Sequence, residues 1–160
     1  MVYLVDTREH DGKNDHIIKM FEKFGSKYIK KKLQYGDYSF LIPANEELSI
    51  PRDLDFSSHI MIERKSGLSE FINNIEKDKA RLKKELALAP PNKVLLIENA
   101  SYSDVIHGNY ESKFSAKALW ASIHSLWHEF NIPVFFSTQA EDSAYFIRGY
   151  FQYWLKEFLK

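Results

Sequence analysis

Glu63 and Lys65 are the residues whose types and spacing point most directly to chemistry. They follow the apolar run Ile60-Met61-Ile62 without a break, and that run predicts a β-strand. Because side chains two positions apart in a strand point to the same side, we expect the carboxylate and the amine to be neighbours. Such a pair at a strand end could hold a divalent cation and the water that the cation activates.

Three further acids, Asp6, Glu9 and Asp37, occupy predicted turns or strand ends. Asp37 and Glu63 are 26 positions apart, on strands that could be neighbours in a sheet. Hard cations such as Mg²⁺ take oxygen ligands and keep several waters, so one or two protein carboxylates suffice for a site. A single acid after a turn is usually an ordinary residue. Only the combination of Asp37, Glu63 and Lys65 favours a metal site.

Alternating strand and helix patterns are expected to position these residues. The predicted strands cover residues 2–5, 28–33, 38–42, 59–63, 94–98 and 133–136, and the predicted helices cover residues 14–24, 66–86, 115–130 and 140–160. Residues 44–58 are interpreted as a loop or hairpin excursion, and the polar segment 99–114 has no assigned structure. This alternation indicates an α/β sandwich with a mixed sheet.

Composition limits the class of protein. The chain has 160 residues, 44% of them hydrophobic, and it contains no cysteine. The length predicts a single domain over residues 1–160, and the lack of cysteine excludes disulfides, thiolate zinc sites and cysteine nucleophiles. No apolar run reaches the ~20 residues that a bilayer crossing needs, and the first residues do not form a secretory signal. We therefore expect a cytoplasmic protein that is not secreted.

Three short motifs, in order, carry a family resemblance: Asp6-Thr7-Arg8-Glu9, Gly36-Asp37-Tyr38 and Glu63-Arg64-Lys65-Ser66. Together they resemble the XPF/Mus-type structure-specific endonuclease domain, a branch of the restriction-enzyme-like nucleases. The likeness continues in residues 94–98, 114–115 and 133–136, and so covers nearly the whole chain. It implies a restriction-endonuclease-like three-layer sandwich, in which helices flank a central mixed β-sheet.

The resemblance also implies roles for individual residues. Asp37 and Glu63 would ligate Mg²⁺ or Mn²⁺, Asp6 would be a further ligand, and Glu9 would support it. Lys65 would orient the attacking water and help to deprotonate it. Four basic residues would contact DNA, namely Arg8, Arg64, Arg81 and Lys84.

One position departs from the family pattern, in which Glu-Arg-Lys is followed by three residues and then Asp. Here that position is Ser69, and the next residue, Glu70, lies about 100° further round a helix. The substitution bears on metal affinity and on activity, not on the fold. It leaves open the alternative of a catalytically impaired DNA-binding or dimerisation module that keeps the nuclease scaffold.

Charge and aromatic patterning suggest two surfaces. The formal net charge is zero, so DNA would be bound by a local basic face. Arg81 and Lys84 lie on one side of a predicted helix, although basic runs of this kind are most often plain solvated faces. The last helix has two apolar stripes where covering a sheet needs one. This favours a homodimer over an aromatic-rich monomer core, and the resemblance implies pairing through the C-terminal helices.

The resulting hypothesis is a Mg²⁺- or Mn²⁺-dependent DNA endonuclease that acts on branched or flapped DNA in repair or recombination. The family's larger members continue with helix-hairpin-helix modules, and this sequence contains none. We expect a bacterial, phage or archaeal cytoplasm, or any other compartment that holds DNA. A purely structural partner protein, which would bind neither metal nor DNA, is the third possibility.

Overall fold

The computed structural model describes residues 1–9 and 12–160, which form a β-sheet between two helical layers. The strands within this part of the chain are β1 (Val2–Val5), β2 (Lys27–Lys30), β3 (Tyr38–Ile42), β4 (Leu54–Asp55), β5 (Ile60–Lys65), β6 (Asn92–Glu98) and β7 (Val134–Ser137). The α-helices are α1 (Asp15–Lys23), α2 (Leu68–Leu88), α3 (Tyr102–His107), α4 (Ala116–Phe130) and α5 (Ser143–Phe158), and a 3₁₀ turn, Ala140–Asp142, precedes α5.

The sheet has the strand order β2-β1-β3-β5-β6-β7, with β4 added beside β3. β3 runs antiparallel to both β1 and β5, whereas β6 and β7 continue parallel to β5. The end of β1, the start of β3 and the end of β5 therefore lie side by side at the same end of the strands. The sheet topology thus brings together residues that are far apart in the sequence.

Alternation along the strands divides the core into two layers. Ile60 and Ile62 of β5 pack on the side of α1 and α5, while Leu95 and Ile97 of β6 pack on the side of α2, α3 and α4. Because side chains alternate along a strand, Glu63 and Lys65 lie on the α2 side. Arg64 lies on the other side.

The predicted three-layer sandwich with a mixed sheet is the observed architecture, with local differences. β5 extends to Lys65 instead of ending at residue 63, and β2 ends at Lys30. The segment left unassigned contains α3, because Ser101 accepts the Asp104 N–H and the Asp104 carboxylate accepts the Ser101 N–H. This reciprocal capping box satisfies two backbone donors at the start of a short helix.

Helix α2 is interrupted at Asp78, whose backbone is non-helical with φ −152° and ψ 47°. The half before Asp78 buries Phe71, Ile72 and Ile75 against the sheet. The half after it lies over the strand ends where β1, β3 and β5 meet. None of the helices in the described ranges combines the length and the apolar character needed to span a membrane.

Candidate active site

Asp37 lies between Asp6 and Glu63 because the sheet register places it there. The Asp6 N–H donates to the Asp37 carbonyl at 2.9 Å, and the Asp37 N–H donates to the Ile62 carbonyl at 2.8 Å. The Arg64 N–H donates to the Asp37 carboxylate at 2.8 Å, which fixes the side chain as well as the backbone. These hydrogen bonds bring Asp6, Asp37 and Glu63 to the same end of the strands.

Gly36 makes the turn into Asp37 possible. Its φ is +77°, and a Cβ added there would lie 2.6 Å from Met61 Sδ and 3.1 Å from the Ile62 carbonyl oxygen. A side chain at this position would be strained by the left-handed backbone and would collide with β5.

We therefore predict that Gly36→Ala destabilises the fold by about 2–4 kcal/mol and displaces Asp37. Urea unfolding measures the change. Gly149→Ala is the matched control, because Gly149 lies within α5 and a Cβ there meets nothing within 4 Å. That control should be stabilised by about 0.5–1 kcal/mol. Equal effects of the two substitutions would contradict the steric argument.

Glu63 and Lys65 are neighbours, as their spacing predicts. Lys65 Nζ donates to Glu63 Oε1 at 3.2 Å, and the side chains are 10% and 25% exposed for Lys65 and Glu63 respectively. Burial alone would lower the pKa of Lys65, but the carboxylates of Glu63 and Asp37 raise it above its ordinary value. The amine is thus an ammonium at neutral pH, able to donate a proton or a hydrogen bond but not to accept a proton.

Burial makes the ionised forms of Asp37 and Glu63 unfavourable. Burial, and then the negative charge of Glu63, raise the pKa of Asp37 well above its ordinary value. Burial also raises the pKa of Glu63, although Lys65 opposes the shift. Two largely covered acids, one of which raises the pKa of the other, form a site that a cation would relieve.

Two adjoining cavities open on these residues and share Arg8, Asp37 and Glu63. The first, of about 350 Å³, is also lined by Asp6, Arg81 and Glu85. The second, of about 250 Å³, is also lined by Glu9, Arg64, Lys65 and Glu70. Asp37 and Glu63 are therefore accessible from outside although most of each side chain is covered.

Asp6 does not join them as a third free carboxylate. Its Oδ1 accepts the Leu33 N–H at 2.8 Å, and its Oδ2 accepts Arg8 Nε at 2.7 Å. Within residues 1–9 and 12–160, no three His, Cys, Asp or Glu side chains form a group that could hold a metal ion. The predicted three-acid cluster is thus reduced to Asp37 and Glu63, since Arg8 and the Leu33 amide engage Asp6.

A pair of carboxylates still fits a hard divalent cation. Such ions accept oxygen donors and retain several waters, so two protein ligands and a substrate phosphate complete a coordination shell. The unfavourable effect of the Glu63 charge on the ionisation of Asp37 indicates the same preference for a cation.

Arg64 and Glu9 occupy positions that differ from their predicted roles. Arg64 Nη2 donates to Glu9 at 2.8 Å and Nη1 donates to Glu98 at 2.5 Å, and the arginine side chain is 4% exposed. Tyr38 also donates its hydroxyl to Glu9, at 3.2 Å. Arg64 is thus buried between two carboxylates on the α1 side of the sheet, and its phosphate contact stays a prediction. Glu9 supports Arg64 and not Asp6.

Glu98, which was predicted only as the end of a strand, is the centre of that buried network. Besides Arg64, its carboxylate accepts the Ser143 hydroxyl at 2.5 Å and lies 2.6 Å from His16 Nε2. It therefore connects β5, α1 and α5. The sequence contained a signal, because an ionised residue that continues an apolar buried strand needs a buried partner.

The other predicted DNA-contacting residues differ in whether they line the first cavity. Arg8 (58% exposed) and Arg81 (72% exposed) both line the first cavity, whereas Lys84 is exposed outside it. Arg81 Nε donates to Glu85 at 3.0 Å, and this acid also faces the cavity. Glu85 was not predicted from the sequence, since an i,i+4 pair on a helix is an ordinary surface pattern.

Ser69 and Glu70 both make local contacts at the start of α2. The Ser69 hydroxyl contacts the Glu111 carbonyl at 3.4 Å, while Glu70 accepts both the N–H and the hydroxyl of Ser66 at 2.8 Å. Burial alone would raise the pKa of Glu70, but the hydrogen bonds from Ser66 lower it. Glu70 is thus an ionised acid beside the second cavity, and it is engaged at the start of α2.

Comparison with known proteins adds a family and a fold. A family model described as the ERCC4 domain matches residues 5–150. The structure of XPF from Aeropyrum pernix superimposes with a TM-score of 0.66 and 18% identity over 96% of this chain and 61% of that one. The same protein in complex with DNA gives a TM-score of 0.69, 19% identity, and 98% and 66% coverage. The chain thus spans less than two-thirds of the solved XPF chains. No curated protein matches its sequence.

Proposed function

The chain belongs to the ERCC4 domain family, and from this premise we propose that it is a metal-dependent DNA endonuclease. Residues 1–160 would form a single XPF-type nuclease domain acting in the compartment that holds DNA. The observation that supports this most is the convergence of Asp37 and Glu63, with the Lys65 ammonium beside Glu63, on shared cavities. The reaction would be hydrolysis of one phosphodiester bond.

Mg²⁺ or Mn²⁺ would be held by Asp37 and Glu63. When bound, such an ion would lower the pKa of water and offset charge on the phosphate. The remaining chemistry belongs to the chain itself. The Lys65 ammonium would donate a hydrogen bond toward the water or the phosphate and stabilise the negative charge that develops there.

The substrate strand would be positioned by the exposed guanidinium groups. Arg8 and Arg81 line the cavity that contains Asp37 and Glu63, and Lys84 would extend the basic surface along α2. Such phosphate contacts orient DNA without reading its sequence. The net charge of zero predicts modest affinity that falls steeply with salt.

We propose branched or flapped DNA, in repair or recombination, as the substrate class. Ser69, at the position where the family has Asp, favours one alternative: a catalytically impaired DNA-binding or dimerisation module. The two functions share the fold and differ in turnover.

A panel of labelled DNAs separates these functions. Flaps, forks, four-way junctions, duplexes and single strands are incubated at low salt with Mg²⁺, with Mn²⁺ or with chelator. Nicking of branched DNA that requires the cation supports the nuclease. Binding without nicking under every condition supports the impaired module, and neither binding nor nicking would contradict both.

We also propose a homodimer through β7 and the C-terminal helix. β7 is the last strand of the sheet path, and its Phe135 is 42% exposed and stacks on Phe146 with ring centroids 3.9 Å apart. On α5, Tyr153 and Phe158 are 63% and 56% exposed. Phe135 thus exposes an aromatic ring on an edge strand, and α5 exposes two more along its length, which are features that a partner would cover.

The dimer is tested by Phe135→Asp, which places a charge in the proposed interface. Sedimentation velocity should show a dimer for the parent chain and a monomer for this variant. Leu48→Asp is the control, because Leu48 is 69% exposed in the excursion before β4. A parent chain that sediments as a monomer at tens of micromolar would exclude the proposal.

A further inference from the structure

The cavity that contains Asp37 and Glu63 adjoins a second space of different chemistry. This neighbouring cavity has a volume of about 360 Å³ and shares Gln34, Tyr35 and Ala89 with the first. The rest of its lining includes Ser57, Ser58, Pro90 and Pro91, and no charged side chain. One cavity is thus rich in charge, while the other is lined by hydroxyl, amide and apolar groups.

Tyr35 forms the wall between them. Its side chain is half-buried, and within residues 1–9 and 12–160 it has neither a hydrogen bond nor a ring contact. Tyr38, three positions later, is fully buried and donates its hydroxyl to Glu9. An aromatic ring that borders two cavities and has no partner of its own is available to a ligand.

The position of Tyr35 relative to the acids is fixed. Gly36 lies against Met61, and the Asp37 N–H donates to the Ile62 carbonyl, so the turn has little freedom. Two residues span at most about 7 Å, which is on the scale of one nucleotide unit. A phosphate at Asp37 and Glu63 would place its own or the adjacent nucleotide beside this ring.

We propose that Tyr35 and the uncharged cavity form a subsite for the nucleobase next to the scissile phosphate. The inference rests on the proposed nuclease function. The base would stack on the ring, and the charged cavity would take the phosphate. Because every base has a π-face, stacking of this kind is tolerant of sequence. The subsite would therefore sense whether a base is present and not which base it is.

The test removes the base and the ring separately. A single abasic residue is moved through each position around the cleavage site, and kcat/KM is measured for the parent chain, Tyr35→Leu and Tyr35→Phe. At one position, removal of the base should cost the parent chain about 5- to 150-fold. Tyr35→Leu should show a similar loss on intact DNA and no further loss on the abasic substrate. Tyr35→Phe should behave as the parent chain.

Tyr145→Leu is the matched control, since Tyr145 is 57% exposed and packs on Phe24, which follows the last residue of α1. It should keep the sensitivity of the parent chain to base removal. Equal sensitivity in the parent chain and Tyr35→Leu at every position would overturn the subsite. If the chain binds DNA without cutting it, the nuclease proposal fails, and the same comparison made on Kd decides the subsite. Failure to bind any DNA would overturn both.

Discussion

Replacing Asp37 by asparagine should abolish DNA cleavage and at the same time make the protein more stable at neutral pH. Cleavage should fall by about 10³-fold or more, because the amide is a poor ligand for the cation and carries no charge. Stability should rise because the neutral side chain removes the cost of an ionised carboxylate buried beside Glu63. Asparagine can still accept the Arg64 N–H that fixes this position.

The gain in stability should depend on pH with a definite sign. The pKa of Asp37 in the folded protein lies well above its ordinary value of 3.8, so folding disfavours the ionised form. The parent chain should therefore lose stability relative to Asp37→Asn as the pH rises from about 4 through the raised pKa. Below the ordinary value both side chains are neutral, and the difference should vanish.

Chemical denaturation at pH 3.5 and pH 8, combined with cleavage assays, measures both effects. Glu63→Gln should reproduce the loss of cleavage. Glu129→Gln is the control, because this acid forms an exposed pair with Lys83 and should change stability by less than about 0.5 kcal/mol. An Asp37→Asn protein that still cuts DNA, or that is less stable than the parent chain at pH 8, would remove Asp37 from the proposed mechanism.

At the end of β5, the two faces of the sheet carry charged residues in different environments. Glu63 and Lys65 lie on the α2 side, where their charges are only partly compensated and cavities reach them. Arg64 lies on the other side, between Glu9 and Glu98, where every charge has a partner. If one residue of such a buried ion pair is replaced by a neutral one, the charge of the other is left uncompensated. The compensated network thus supports a strand whose other face carries the buried carboxylate and ammonium of Glu63 and Lys65.

The parts of this site that sequence analysis predicted correctly depend on local rules. Period-two alternation predicted that Glu63 and Lys65 are neighbours, and the same rule, applied to Arg64, would have placed it on the opposite face. The α3 helix was not predicted, although Ser101 and Asp104 have the spacing of a capping box, which is also a local rule.

Other features were set by long-range contacts that no local pattern contains. Asp6 is engaged by the Leu33 amide, 27 positions away, and Arg64 meets Glu98 34 positions away. Glu85 lies at the site only because α2 crosses the ends of these strands, and its neighbours in the sequence form an ordinary helix. Tyr35 lies two positions before Asp37, but its place between two cavities depends on residues 57–58 and 88–91, which tertiary packing brings there.

Replacing Lys65 by methionine should reduce the rate of cleavage by about 10²–10³-fold with little effect on DNA affinity. The Lys65 side chain is 10% exposed, and its Nζ is held 3.2 Å from Glu63 Oε1. Its charge should therefore act on the reacting groups and contribute little to the surface that DNA meets. Methionine preserves most of the volume against Phe71 and Leu82, which line the small apolar space beside Lys65. The loss should therefore appear in kcat, with Kd nearly unchanged.

Lys65→Arg should not restore the rate, because the planar guanidinium is larger and presents its donors in a fixed fork. Lys19→Met, on the exposed face of α1, removes the same charge far from the cavities and should cleave at the parent rate. Single-turnover cleavage and fluorescence anisotropy together separate kcat from Kd. A Lys65→Met protein that loses affinity and retains its single-turnover rate would make Lys65 a DNA contact and not a participant in the chemistry. Because the ammonium is covered and paired with the carboxylate expected to hold the cation, we expect the opposite result.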